Sequence, residues 1–398
     1  MKQEHITDLF GTTIRLQMRE SIQMTIQSLL AYCHKYDHWC MAYSGGKDST
    51  TLVTLVVWLI DTGQIPRPKS MTVMYADTRL ELTPLWAAAQ DIIEDLKGYG
   101  FDVRIVVAPL EKRYFTYILG RGVPPPTNTF RWCTPKMKVD PMTKELELLF
   151  SEKGEKVLML TGVRQGESAI RDQRIVMSCG KDGAECGQGW YQETMPDHIC
   201  DTLAPLLHWR VCHIWSWLKY WAPTPEYGDW STSAIADSYG GDEAEELNAR
   251  TGCIGCNLVS VDKALNNVLK NPRYYYLKPL LRVKLLNNLL RLPANRLRKT
   301  GLAPSDNFRQ RIGPLTMLAR KMGLDEILSI QNEINASAKN EGMPLISLIN
   351  EEEESYIRKC WEENLWPDRW DGTESTGDTE METVFKDGSI QRRLIFGD

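Results

Sequence analysis

The stretch WCMAYSGGKDSTTLVT (39–54) decides the fold. An apolar run ends in Ser44-Gly45-Gly46-Lys47-Asp48-Ser49, and apolar residues then resume at helical spacing. The first half predicts a buried strand over 38–44 and the second a helix over 48–62. Two glycines between them let the chain turn tightly, so that backbone N–H groups and the positive end of the helix dipole face an anion. Lys47 adds a mobile cation, Ser44 and Ser49 add hydroxyls, and Asp48 is placed to cap the helix or to help hold a magnesium ion. The spacing excludes a Walker A loop, which needs four residues between its first glycine and the Gly-Lys pair.

Working outward, 14–35 predicts an amphipathic helix. Strands are expected at 69–77, 101–109 and 156–164, with a helix over 83–97. This alternation predicts an α/β fold with a doubly wound, mostly parallel sheet. Helices are expected to dominate 263–349, a hairpin around Asp387-Gly388 to occupy 383–396, GVPPPT (122–127) to form a rigid loop, and 222–252 to be irregular, as a lid or a cluster-bearing loop. The division expected is 1–262, a nucleotide domain with a cysteine-rich insert; 263–350, a basic helical region; and 351–398, an acidic tail.

The net charge of −5 hides an asymmetry. From Lys263 to Ser305 there are ten Lys and Arg and no Asp or Glu, with Tyr274, Tyr275 and Tyr276 among them. That composition suits a polyanion, and it also suits a helical core with a solvated cationic face. No apolar run is long enough to span a bilayer and the N-terminus lacks a signal-type apolar segment, so a cytoplasmic protein with no membrane partner is expected. In that compartment the ten cysteines point to metal binding or packing rather than to disulfides. Cys253-x2-Cys256, flanked by glycines, lets two thiolates face one metal; Cys179 and Cys186 would complete a zinc set. Cys33, Cys40, Cys200, Cys212 and Cys360 are expected to pack.

SGGKDS (44–49) resembles the PP-loop of the N-type ATP pyrophosphatases. YADTRLELTP (75–84) and TGVRQGESAIRDQR (161–174) are similar to elements of the phosphoadenosine phosphosulfate (PAPS) reductase branch of that superfamily. The resemblance implies an adenine nucleotide alpha hydrolase-like fold and ATP with Mg²⁺. The implied site comprises Ser44, Gly45, Gly46, Lys47, Asp48, Ser49, Asp77, Gly162, Arg164 and Arg171, with Lys47, Asp48 and Arg164 catalytic. Arg164, Arg171 and Arg174 follow a strand end, where guanidinium forks suit phosphate. RWCTPKMKVDPM (131–142) is similar to an element of the iron–sulfur adenylylsulfate reductases, which implies a [4Fe–4S] cluster on Cys133, Cys253 and Cys256. Thr134 stands where that family has a second cysteine, leaving Cys186, or Cys179, as fourth ligand, and zinc as the alternative. The intact loop and late C-x2-C resemble the DndC/SspD-like DNA phosphorothioation proteins, although Ser-Cys-Gly (178–180) falls earlier than in DndC. That likeness implies ATP cleavage to AMP and pyrophosphate on a DNA backbone phosphate, within an antiphage DNA modification system supplied by a cysteine desulfurase. Transfer RNA is the less favoured substrate, and a PAPS reductase or a non-catalytic nucleic-acid module are the competing readings.

Overall fold

The computed structural model describes residues 6–7, 13–14, 17–165, 198–233, 235, 239, 253–299, 311–376, 382–384 and 390–392. A short antiparallel pair, β1 (Ile6–Thr7) and β2 (Thr13–Ile14), precedes α1 (Met18–Cys33), which starts later than the periodicity predicts. Then follow β3 (His38–Tyr43), α2 (Lys47–Asp61), β4 (Ser70–Asp77), α3 (Thr83–Gly98), β5 (Asp102–Val107), α4 (Asp140–Lys153) and β6 (Val157–Leu160). A strand absent from the sequence reading, β7 (Cys200–Leu203), completes a five-stranded sheet in the order β5-β4-β3-β6-β7. The pairs β3–β4, β3–β6 and β6–β7 run parallel, which makes this the mostly parallel α/β sheet expected.

Burial explains the choice of residues. Helix α2 is apolar almost all round because it is covered almost all round: Leu52, Val53, Leu55, Val56, Val57 and Leu59 are buried. Its threonines hide their hydroxyls on the preceding turn, Thr51 Oγ1 donating to Lys47 O at 3.0 Å and Thr54 Oγ1 to Thr50 O at 2.8 Å. Met142, Leu146 and Leu149 of α4 pack with Cys40, Met74, Val157, Met159 and Cys200 of the sheet. Cys40 and Cys200 are thus packing residues, as are the buried Cys33 and Cys360; Cys212 is half-buried.

The chain divides into two compact units. The first, 1–77, 82–106 and 141–251, contains this sheet. The second joins 78–81 and 107–140 to 252–398. Its helices, after α5 (Val211–Ser216) of the first unit, are α6 (Lys263–Val268), α7 (Leu281–Arg291), α8 (Met317–Glu341) and α9 (Glu351–Glu362). A three-stranded antiparallel sheet, β8 (Arg296–Lys299) between β9 (Arg311–Leu315) and β10 (Ser375–Thr376), interrupts the helices where the leucine-rich sequence predicts none. The expected C-terminal hairpin is present as β11 (Glu382–Val384) paired with β12 (Ile390–Arg392); its turn lies outside the described residues. Among the described residues no helix is long and apolar enough to cross a membrane.

Candidate functional site

Strand β3 is where the sheet changes direction, with β4 on one side and β6 on the other. In an open α/β sheet the crevice beyond the strand ends at such a point is where ligands bind. The loop 44–49 leaves β3 there. Gly45 takes φ +69°, and a Cβ on it would lie 2.9 Å from that of Ala89, so glycine is required twice over. Gly46 is the N-cap of α2. Asp48 therefore does not cap the helix; its carboxylate is used otherwise. Ser49 Oγ donates to Gly46 O at 3.1 Å and accepts from Ser44 N at 3.2 Å, which ties the loop to itself.

From β6 the chain passes Thr161 to Gly162, which touches the loop backbone: a Cβ there would stand 2.8 Å from the Asp48 carbonyl. Arg164 is thereby brought under α2. Its Nε donates to Asp48 Oδ1 at 2.5 Å, and Lys47 Nζ meets Asp48 Oδ2 at 2.6 Å. One carboxylate thus holds two cations. Burial alone would raise the Asp48 pKa, but Lys47 and Arg164 outweigh it and hold the carboxyl below its ordinary range. Arg164 is only 4% exposed and also donates from Nη1 to Trp209 O at 3.3 Å. Asp77 ends β4 at the same edge of the sheet.

Tyr239 belongs here too, although nothing in the sequence marks it. Its Oη accepts from Lys47 N at 3.3 Å, and Lys47 Nζ stands 5.9 Å from its ring centroid. It comes from the segment 222–252 that the sequence reads as irregular, where no period or motif marks a residue. Arg171, Arg174, Cys179 and Cys186 lie outside the described residues.

In the second unit Cys133, Cys253 and Cys256 share one neighbourhood. Tyr114, fully buried, is raised well above its usual pKa, first by burial and then by all three thiols. Burial also raises Cys133, and pushes Cys253 up to about 11. The C-x2-C turn closes through Cys256 N donating to Cys253 O at 3.1 Å, and Ile254 N donates to Leu80 O at 2.7 Å. Gly255 takes φ +67° with its Cα against α7: a Cβ would lie 2.5 Å from Val283 Cγ1. Asn287 Nδ2 donates to Gly255 O at 3.0 Å and Lys284 Nζ to Cys256 O at 3.1 Å. Among the described residues no three His, Cys, Asp or Glu already converge at metal-binding distance. Even so, the donors suit a thiolate-bound group in kind, and the side-chain amide of Asn257, next to Cys256, has no hydrogen-bond partner.

The basic stretch is partly spent inside the fold. Arg282 pairs with Glu326 at 2.8 Å and Glu333 at 2.7 Å, Lys284 caps carbonyls of the cysteine turn, and Arg296 Nε donates to Gly313 O at 2.5 Å. These cations hold α7, α8 and β9 in place. A gap in sequence-near acidic residues did not mean a lack of spatial partners.

The family match agrees with the mostly parallel α/β sheet. An uncharacterized protein of Methanocaldococcus jannaschii is 25% identical over 210 residues, covering 50% of this chain and 42% of its own. A second from the same organism is 26% identical over 178 residues, covering 45% and 30%. The chain thus spans less than half the length of either. Among solved structures, Candida glabrata FMN adenylyltransferase with FMN and the ATP analogue AMPCPP is 17% identical, covering 52% of this chain and 61% of its own, at a TM-score of 0.32. The PAPS reductase of Candida auris is 12% identical, covering 52% and 87%, at 0.31. The U34-tRNA thiolase NcsA of Methanococcus maripaludis with its [4Fe–4S] cluster is 15% identical, covering 71% and 85%, at 0.32. Residues 38–222, which run from β3 through the loop and Arg164 to α5, match the family model of the phosphoadenosine phosphosulfate reductase domain.

Proposed function

We propose that the protein is an ATP pyrophosphatase that adenylates a nucleic-acid backbone phosphate for sulfur insertion, as in DNA phosphorothioate modification. The observation that carries this reading is the Lys47–Asp48–Arg164 cluster at the start of α2, beside first-turn amides that a helix cannot pair internally. A phosphate oxygen of the acceptor attacks the α-phosphorus of ATP, and the bond between the α- and β-phosphates breaks. Pyrophosphate departs towards the amides of 45–49, where the helix dipole favours it. Lys47 and Arg164 meet the charge that develops, and Asp48 keeps both oriented beforehand. Asp48 would help hold Mg²⁺, which would supply positive charge to neutralise the phosphates. The terminal sulfur of a cysteine desulfurase partner's persulfide then attacks the activated phosphorus and displaces AMP, and an external thiol reductant cleaves the S–S bond, leaving the phosphorothioate and a disulfide.

Cys133, Cys253 and Cys256 would hold a [4Fe–4S] cluster with Cys186 or Cys179, or zinc in its place. When bound, a cluster supplies an iron site able to hold sulfur. The chain's own part is to keep two thiols on one glycine turn against α7.

The reading is tested by separating the products of ATP with and without DNA. AMP and pyrophosphate, stimulated by DNA, are expected. ADP with orthophosphate overturns it, and reduction of PAPS without ATP cleavage would replace it by a reductase of the matched family. Anaerobic purification, with iron, zinc and visible absorption measured per chain, tests the cysteine site separately.

A further inference from the structure

The second unit contains a cavity of about 550 Å³ that the adenylation reading leaves unused. Its wall comes from residues 117–136, with 312–314 and 367–370 opposite. The volume is that of small-molecule sites generally. The lining is aromatic and cationic. Arg121 and Lys136 both lie over Tyr117, at 6.0 Å and 5.3 Å from its ring centroid, and among the described residues neither is in an ion pair. The one carboxylate in the described lining is the exposed Asp368.

A second observation lies just behind the wall. Arg320 is 0% exposed. Its Nη1 donates to Gly120 O and Leu365 O at 3.0 Å each, and its guanidinium stacks 3.8 Å from the Trp366 ring centroid. Its Nε and Nη2 have no hydrogen-bond partner. Gly122, between the lining residues Arg121 and Val123, presses on it: a Cβ there would be 2.3 Å from Nη2. Burial pushes its pKa down to about 10, which leaves it charged at neutral pH. A buried cation with two idle donors is costly unless an anion offsets it. Two more cations face the adjoining space, so an anion is the occupant that the charge calls for.

The aromatic surfaces narrow the chemistry. Trp370 lies on Gly313 so closely that a Cβ would stand 2.1 Å from its ring, which leaves it beside the cavity as a flat wall. Phe130, on the Pro-rich loop, is 47% exposed. Cations outside any ion pair, next to an exposed phenylalanine ring, match a phosphate joined to a planar ring.

We propose that this cavity binds a nucleotide, its phosphate on Arg121 and Lys136 with Arg320 behind them, and its base against Trp370 and Phe130. The nucleotide is either one unit of a single strand or a free mononucleotide. This assignment does not depend on the reading of the 44–49 loop.

The test uses the full chain and two probes: a fluorescein-labelled oligothymidylate followed by anisotropy across a salt series, and AMP followed by calorimetry. Both are run in the Lys47→Ala background so that nucleotide held at the loop does not count. Arg121→Ala/Lys136→Ala should weaken binding about 10-fold or more and, with one strand phosphate released, lower the salt slope by about 0.7. Phe130→Ala, at an exposed position where folding is not at risk, should weaken binding about 5-fold or more through lost stacking. Strand binding without AMP binding assigns the site to single strands; equal binding of both, per site, assigns it to the mononucleotide. Unchanged affinity and salt slope in both variants overturns the proposal. So does inorganic phosphate displacing the probe as well as AMP does, since that leaves the base without a role.

Discussion

The loop 44–49 and the turn 253–256 are each built round one glycine in the left-handed region, Gly45 and Gly255, pressed against a helix residue. They differ in what surrounds the glycine. Around the loop, two cations share one half-buried carboxylate, so a polar charge network sits ready at the start of α2. Around the cysteine turn, a lysine and an asparagine take up backbone carbonyls, which turns two thiols towards a buried tyrosine. The same backbone device thus presents donors in one place and soft ligands in the other. What differs is whether side chains neutralise each other or neutralise the backbone.

The strongest way to break that comparison is at the charge network. Lys47→Ala is expected to lower pyrophosphate release by about 10²–10³-fold, the scale of one preorganised electrostatic group. If release persists, the loop is not the site. Arg164→Met strands Asp48 with one partner in a buried setting and should cost about 3–5 kcal/mol of unfolding free energy in denaturant titration. Adding Asp48→Asn should restore much of that stability while leaving activity absent.

At the turn, Gly255→Ala forces a methyl onto Val283 and should cost about 1–3 kcal/mol. Iron or zinc per chain should fall with it, ATP binding should not, and Val283→Ala should relieve the clash in part. Lys284→Met removes one charged donor from the Cys256 carbonyl and should cost about 1–3 kcal/mol. It should leave the nucleic-acid salt slope unchanged, since that ammonium is engaged within the fold.

The smallest effect concerns neither glycine and serves as a control on the first unit. Burial holds the His208 pKa below its ordinary value, and its Nε2 donates to Ser21 O at 2.8 Å. The unfolded chain therefore binds a proton at higher pH than the fold does. His208 costs no stability above about pH 6.5, and stability declines as pH falls below that towards the depressed native value. Melting temperatures across this window should fall in the parent and fall less in His208→Gln.

Much of the first unit was legible because its strands are short apolar runs at regular spacing and its loop is a dense local motif. Strand β7 was not, since CDTL is too short to show a period and is separated from β6 by a long cysteine-bearing segment. The sheet of β8, β9 and β10 was hidden for another reason: its strands are too short to show a period, and β10 reaches β8 from far along the chain. The roles of Arg282, Lys284 and Arg296 failed likewise, because their partners Glu326 and Glu333 and the carbonyls of Cys256 and Gly313 are not local. Cys133 could be linked to the C-x2-C by resemblance; Tyr114 and Tyr239 could not, as a lone tyrosine carries no signal.

The double engagement of Asp48 has a kinetic consequence. On the proposed function, an arriving triphosphate must win Lys47 and Arg164 from a carboxylate already seated on both, and that carboxylate must then find other company. A divalent ion travelling with the triphosphate offers it. Metal and nucleotide would then enter as a pair, and a chelator would abolish nucleotide retention itself rather than only slow turnover.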